Sequence, residues 1–171
     1  MRPLIGVTSA WSYETWGDCD KYNGYYYVGK PYVEAIYKAG GMPLIIHPNF
    51  EENDIKELIE VLDGILFTGG GNARRFKPED LPSLEIQQET RYRFEKDLLI
   101  QGSESKLPIL GICRGYQMIL EVFGGSLSNE VIVGHKQTSP SYEPYHKVLL
   151  EEDSILYRII QDNVWDVNSI H

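Results

Sequence analysis

The residue best suited to covalent chemistry is Cys113, in the stretch LGICRGYQMIL (110–120). It stands where an apolar run ends and a helical pattern begins. A strand that turns sharply into a helix there would put the thiol at the carboxyl edge of a sheet, where ligands bind in open α/β folds. Gly111 and Gly115 flank it and suit a strained turn that only small neighbours permit. The helix behind would aim free N–H groups and a positive dipole end at the sulfur, and Arg114 adds positive charge. Both favour thiolate over thiol. That is the equipment of a nucleophile. The competing reading is a small buried hydrophobe before an ordinary helix, the usual fate of a free cysteine.

A second feature bears on the choice. TGGGN (68–72) also follows a strand-like run, and its glycines would let backbone N–H groups face an approaching oxygen, as an oxyanion hole requires. A tight turn is the plainer alternative. Other chemistries find less support. Cys19 lies between Asp18 and Asp20, which would raise its pKa and make it a poor nucleophile. No His, Cys and carboxylate cluster has ligand spacing, so no metal is expected. The glycine run 69–71 lacks the GK[ST] of a P-loop, and no nucleotide or other cofactor is implied. YNGYYYVGKPY (22–32) is either an aromatic rim over a pocket or a surface loop pinned by half-buried rings. Glu151, Glu152 and Asp153 read as a solvated turn before a helix.

The elements that must position these residues alternate between short apolar runs and helical periodicity, the signature of an α/β sandwich with a mostly parallel sheet. Strands are expected at 3–9, 42–48, 64–67 and 107–112. Residues 31–39 form a helix opened by Pro31, with Val33, Ile36 and Tyr37 on one face. Residues 53–63 form another, with Asn53 as N-cap and Ile55, Leu58, Ile59 and Leu62 facing inward. A loop is expected over 73–84, then a long polar helix over 85–102 with an uneven apolar face. The helix Arg114 to Phe123 is closed by Gly124 and Gly125. Turns and short β pieces fill 126–150, followed by a brief helix at 153–160 and a strand at 164–170. The chain reads as one domain over 1–171.

The chain has 171 residues and a net charge of −9, which argues against a nucleic-acid surface. Its longest apolar runs are too short for a membrane span, and its start lacks a secretory signal. Two cysteines make no disulfide framework, and the reading is a cytoplasmic protein.

With DGILFTGGGN (63–72), PILGICRGYQMILEVFGGSL (108–127) and VNSIH (167–171), the chain resembles the class I glutamine amidotransferase-like hydrolases. The branch is that of the peptidase C26 γ-glutamyl hydrolases, γ-glutamyl-γ-aminobutyrate hydrolase among them. RPLIGVTS (2–9) and YVEAIYKAGGMPLIIHP (32–48) match the same branch. The resemblance implies a flavodoxin-like three-layer sandwich and a cysteine hydrolase that cleaves γ-glutamyl amides of small molecules through a thioester. It implies Cys113 as nucleophile, and Gly70 and Arg114 as the oxyanion-hole residues through their N–H groups. Gln117 and His171, the latter in Asn168-Ser169-Ile170-His171, would border the glutamyl pocket. Asn72 stands where the family often carries Asp, which removes a charge from the turn. Two alternatives stay open: a glutaminase subunit that delivers ammonia to a synthase, and a non-catalytic glutamyl-binding protein. The partner implied is a small molecule, with no nucleic acid and no membrane; a homo-oligomer stays open.

The family's proton acceptor is a histidine in an H-P-E motif near the carboxyl terminus. The thiol must lose a proton and the leaving amine must gain one. The four histidines here are His47, His135, His146 and His171, and none precedes Pro-Glu. The expectation is therefore a domain cut short before that motif.

Overall fold

The computed structural model describes residues 1–13, 24–48, 51–70, 83–128, 132–140 and 142–169, with only the backbone of residues 12, 13 and 52. Cys19, Asn72, His171 and most of the 73–84 segment lie outside the described residues. The chain divides into two compact units, Met1–Asn129 and Glu130–His171.

The first unit is built on four strands: β1 (Leu4–Thr8), β4 (Met42–Ile46), β5 (Gly64–Phe67) and β6 (Ile109–Gly111). They pair in the order β4-β1-β5-β6, all parallel, with Gly6 beside Leu44 and Ile65 and Leu66 beside Leu110. Parallel strands need crossovers, and helices supply them. Helix α1 (Lys30–Lys38) carries Pro31 in its first turn and leaves the chain at Gly40, whose φ of 88° suits only glycine. It packs on the face that carries Ile5, since a Cβ on Gly41 would meet both Ile36 and Ile5. Its inward residues are Tyr32, Val33 and Ile36; Tyr37, expected inward, is instead exposed with the Arg2 guanidinium 4.5 Å over its ring.

Helices α2 (Glu52–Val61), α4 (Glu89–Glu104) and α5 (Arg114–Val122) cover the other face. Ile55, Leu62, Ile65, Phe67, Phe94, Leu98, Leu99 and Met118 form one buried cluster between them and the sheet. The result is a helix layer, a parallel sheet and a second helix layer. The start of α2 differs from expectation: Glu51 is the N-cap, and its N–H donates to Asp54 Oδ2 at 3.0 Å. Asn53 lies one position inside the helix.

Two departures bear on the site. The polar run 85–102 is not one helix but two, α3 (Leu84–Gln87) and α4, broken at Gln88 with φ −153° and ψ 76°. And residues 24–27 are not loop. Gly24–Tyr27 forms β3, antiparallel to β2 (Ala10–Tyr13), with Ala10 opposite Tyr27. Aromatic residues favour a pleated, half-exposed surface, and that preference prevails over the flanking glycines.

In the second unit β7 (His146–Leu149) pairs antiparallel with β8 (Val164–Val167), and α6 (Ile155–Ile160) connects them. Ser154 caps α6 by accepting from Tyr157 N–H at 3.0 Å. Gln137 N–H donates to Ser169 O at 2.7 Å, and Ser169 N–H donates back to Gln137 Oε1. Among the described residues of this unit no apolar side chain is fully buried.

Candidate active site

Strand β6 ends at Gly111, and α5 begins three residues later at Arg114. Cys113 is the N-cap of that helix, with φ 56° and ψ −116°, and is exposed. For a residue with a Cβ this backbone is strained, of the order of 1–3 kcal/mol, and persists only where surroundings impose it. They do. Ile112 N–H donates to Phe67 O at 3.0 Å, and Gly115 N–H donates to Ile112 O at 3.0 Å. A Cβ on Gly115 would collide with the Phe67 carbonyl, and one on Gly111 would lie 2.7 Å from Gly115 C and Tyr116 N. The elbow is thus pressed onto the end of β5, and both flanking glycines are required there.

That contact brings the glycine turn to the cysteine. A Cβ on Gly69 would lie 3.6 Å from Cys113 Sγ and 3.2 Å from its Cβ. Gly70, the next residue, has φ 87°. The turn is anchored to β1 by Thr68, which donates from Oγ1 to Thr8 O at 2.7 Å while its N–H donates to Thr8 Oγ1 at 3.2 Å. The turn and Cys113 follow neighbouring strands, β5 and β6, at the carboxyl edge of the parallel sheet, the edge where open α/β folds bind ligands. The arrangement fits covalent acyl chemistry: a presented thiol, with backbone donors on a glycine turn beside it.

Tyrosines from the α1 side complete the rim. Tyr32 Oη accepts from Gly69 N–H at 3.1 Å, and Tyr27 Oη lies 3.9 Å from where a Gly70 Cβ would be. The 22–32 segment therefore places at least these two rings against the turn.

Behind the turn lies a cluster that the residue pattern did not reveal. Arg91 and Glu95 are 0% exposed and Arg114 is 3% exposed. Glu95 Oε1 accepts from Arg91 Nε at 2.8 Å and from Thr8 Oγ1 at 2.7 Å, and its Oε2 accepts from Arg114 Nη1. Burial pushes the Arg91 guanidinium below its usual pKa, Glu95 pulls it back up, and Arg114 lowers it again. Arg114 Nε and Nη2 are buried with no hydrogen-bond partner among the described residues. The only sequence signal was indirect: Arg91 and Glu95 are spaced i, i+4 on a helix, which ordinarily means a solvated pair.

The remaining candidates are placed unequally. Gln117 is half-buried one turn into α5, its N–H donating to Cys113 O at 3.1 Å. His171 lies outside the described residues, although its neighbour Ser169 is buried in the second unit. His47 stacks on Tyr26 at 5.4 Å, and His135 lies 5.0 Å from His146. Among the described residues no three His, Cys, Asp or Glu gather as a metal site. No described helix is long and apolar enough to cross a membrane.

Comparison with known proteins places the chain in a family. The profile of the family described as Peptidase C26 matches residues 3–171. A candidate glutamine amidotransferase of Schizosaccharomyces pombe is 37% identical over 153 residues, covering 83% of this chain and 58% of its own length. A γ-glutamyl-γ-aminobutyrate hydrolase of Escherichia coli O157:H7 is 31% identical over 161 residues, covering 82% of this chain and 60% of its own. The chain thus spans somewhat over half the length of these relatives. A crystal structure from Thermoplasma acidophilum, described as one candidate component of a GMP synthase, superimposes with a TM-score of 0.53 at 15% identity. It covers 99% of this chain and 66% of that one, and supports the fold alone.

Proposed function

The chain belongs to the peptidase C26 family, and from that premise we propose that it is a cysteine hydrolase acting on the γ-glutamyl amide bond of small molecules. The observation that carries the reading is the exposed, strained Cys113 set against the Gly69–Gly70 turn.

In the proposed reaction the Cys113 thiolate adds to the γ-carbonyl carbon. A C–S bond forms, and the carbonyl π electrons move onto oxygen. The N–H groups of Gly70 and Arg114 receive that oxyanion. Its collapse breaks the C–N bond, and the amine leaves with a proton. Water then attacks the thioester, releasing glutamate and restoring the thiol. Gln117, one turn along α5, borders the glutamyl group. Both proton transfers need a base, and the resemblance assigns it to an H-P-E histidine that none of the four histidines here matches.

The full-length gene product, assayed alone on γ-glutamyl amines and on glutamine, tests this. Turnover of γ-glutamyl amines without a partner, lost in Cys113→Ala, is the expected result. A diazoketone analogue of glutamine should label Cys113, read by peptide mass spectrometry. No labelling there would sink the reading. The 37% identity to a candidate glutamine amidotransferase favours one alternative, a glutaminase that feeds ammonia to a synthase. Glutamine hydrolysis that appears only with a second protein would select it.

A further inference from the structure

The Thr68–Gly70 backbone is held from one side. Arg91 donates from Nη2 to Thr68 O at 3.0 Å, and from Nη1 and Nη2 to Gly69 O at 3.3 Å each. Each carbonyl shares a peptide plane with the next residue's N–H. The described peptides are all trans, so carbonyl and N–H of one plane point in opposite directions. Gly69 O drawn to the guanidinium therefore turns the Gly70 N–H away from it. Thr68 O, drawn the same way, turns the Gly69 N–H to Tyr32 Oη at 3.1 Å. Left to itself, a Gly–Gly peptide turns over easily, because neither residue has a Cβ to prefer one orientation. Two anchored carbonyls remove that freedom.

The same carboxylate reaches the other donor. Glu95 binds Arg91 through Oε1 and Arg114 through Oε2, and Arg114 supplies the elbow N–H. One buried side chain thus ties the glycine turn to the first residue of α5. Stability does not account for it: a buried Arg–Glu–Arg set is often no better than apolar residues of similar volume, because desolvation offsets the attraction. Direction does. Two guanidiniums against one carboxylate also leave one net positive charge behind the place where negative charge would form.

We infer that Arg91 and Glu95 are positioning residues that fix the direction of both oxyanion donors, the Gly70 N–H and the Arg114 N–H. The inference deepens the proposed function and rests on Cys113 being the nucleophile. Lysine at 91 would keep the charge but lose the fork, so it could not hold both carbonyls and Glu95 together.

The test compares full-length wild type, Arg91→Lys and Glu95→Gln, with γ-glutamyl-p-nitroanilide as substrate and iodoacetamide as a thiol probe. In folded variants kcat should fall about 100-fold with KM little changed, since the lost interaction exists mainly in the transition state. Alkylation of Cys113, which forms no oxyanion, should keep the wild-type rate. Unchanged kcat in both folded variants overturns the inference. So does a parallel loss of alkylation, which marks a structural role only. Failure of the wild type itself to turn over the substrate strikes the function reading instead, and the inference falls with it. If neither variant folds, a wild-type crystal structure with the γ-aldehyde of glutamate decides. Its thiohemiacetal oxygen should lie about 3 Å from both donors, with Gly69 O still on Arg91. A turned Gly69–Gly70 peptide would overturn the inference.

Discussion

Cys113 is held where no side chain is comfortable, and that discomfort has a measurable size. At φ 56° a glycine escapes that strain, although it gives up more backbone freedom on folding. Cys113→Gly is expected to raise stability by about 1 kcal/mol while abolishing turnover, read by thermal melting and by the γ-glutamyl assay. A fall in melting temperature would show that the elbow is not strained. The spacing of Cys113, Gly111 and Gly115 made this position legible in the sequence, since strand, small residues and helix must follow one another at an elbow. Gly70 was legible for a similar reason. Tyr32 was legible only as one ring of the 22–32 aromatic segment, for which a rim over a pocket and a pinned surface loop stood side by side; only the fold shows its hydroxyl on Gly69.

Helix α4 shows why element-scale reading misjudged its own most informative segment. Its buried residues are Arg91, Phe94, Glu95, Leu98, Leu99 and Gly102, a regular stripe at i, i+3, i+4, i+7, i+8 and i+11. Two of those six positions carry charge, so hydrophobic periodicity sees a broken face where the fold has a continuous one. The break at Gln88 was hidden for a related reason: nothing in EIQQETRYRF stops a helix by type. Two substitutions on the stripe separate its halves. Leu98→Ala should cost about 2–5 kcal/mol by leaving a cavity. Glu95→Ala should cost about 3–5 kcal/mol by leaving buried guanidiniums uncompensated. Urea titrations followed by tryptophan fluorescence would measure both. A near-neutral Glu95→Ala would mean that water already reaches the cluster.

Across the molecule, the buried apolar residues described all lie between Val7 and Met118, and the Glu130–His171 unit contributes none. A two-stranded antiparallel sheet with one short helix and no buried apolar side chain among its described residues is marginal. Amide hydrogens of β7 and β8 should therefore exchange well before those of β5 and α4, by mass-spectrometric hydrogen exchange. Equal protection would show that the two-stranded sheet opens only with the whole chain. The parallel sheet, its helices and the nucleophile turn were legible because each is encoded by short-range pattern. The β2–β3 pairing depends on cross-strand contact instead, which a linear reading sees poorly. The elbow's closeness to β5 has a last consequence, for heredity. Every missense change in the codon for residue 115 adds a carbon toward the Phe67 carbonyl, whereas at Gly124 nothing lies within 4 Å and only the φ of 85° resists. Asparagine tolerates that backbone better than most residues. A saturation library selected for folded protein should leave position 115 as a single allele, while position 124 admits asparagine among its survivors.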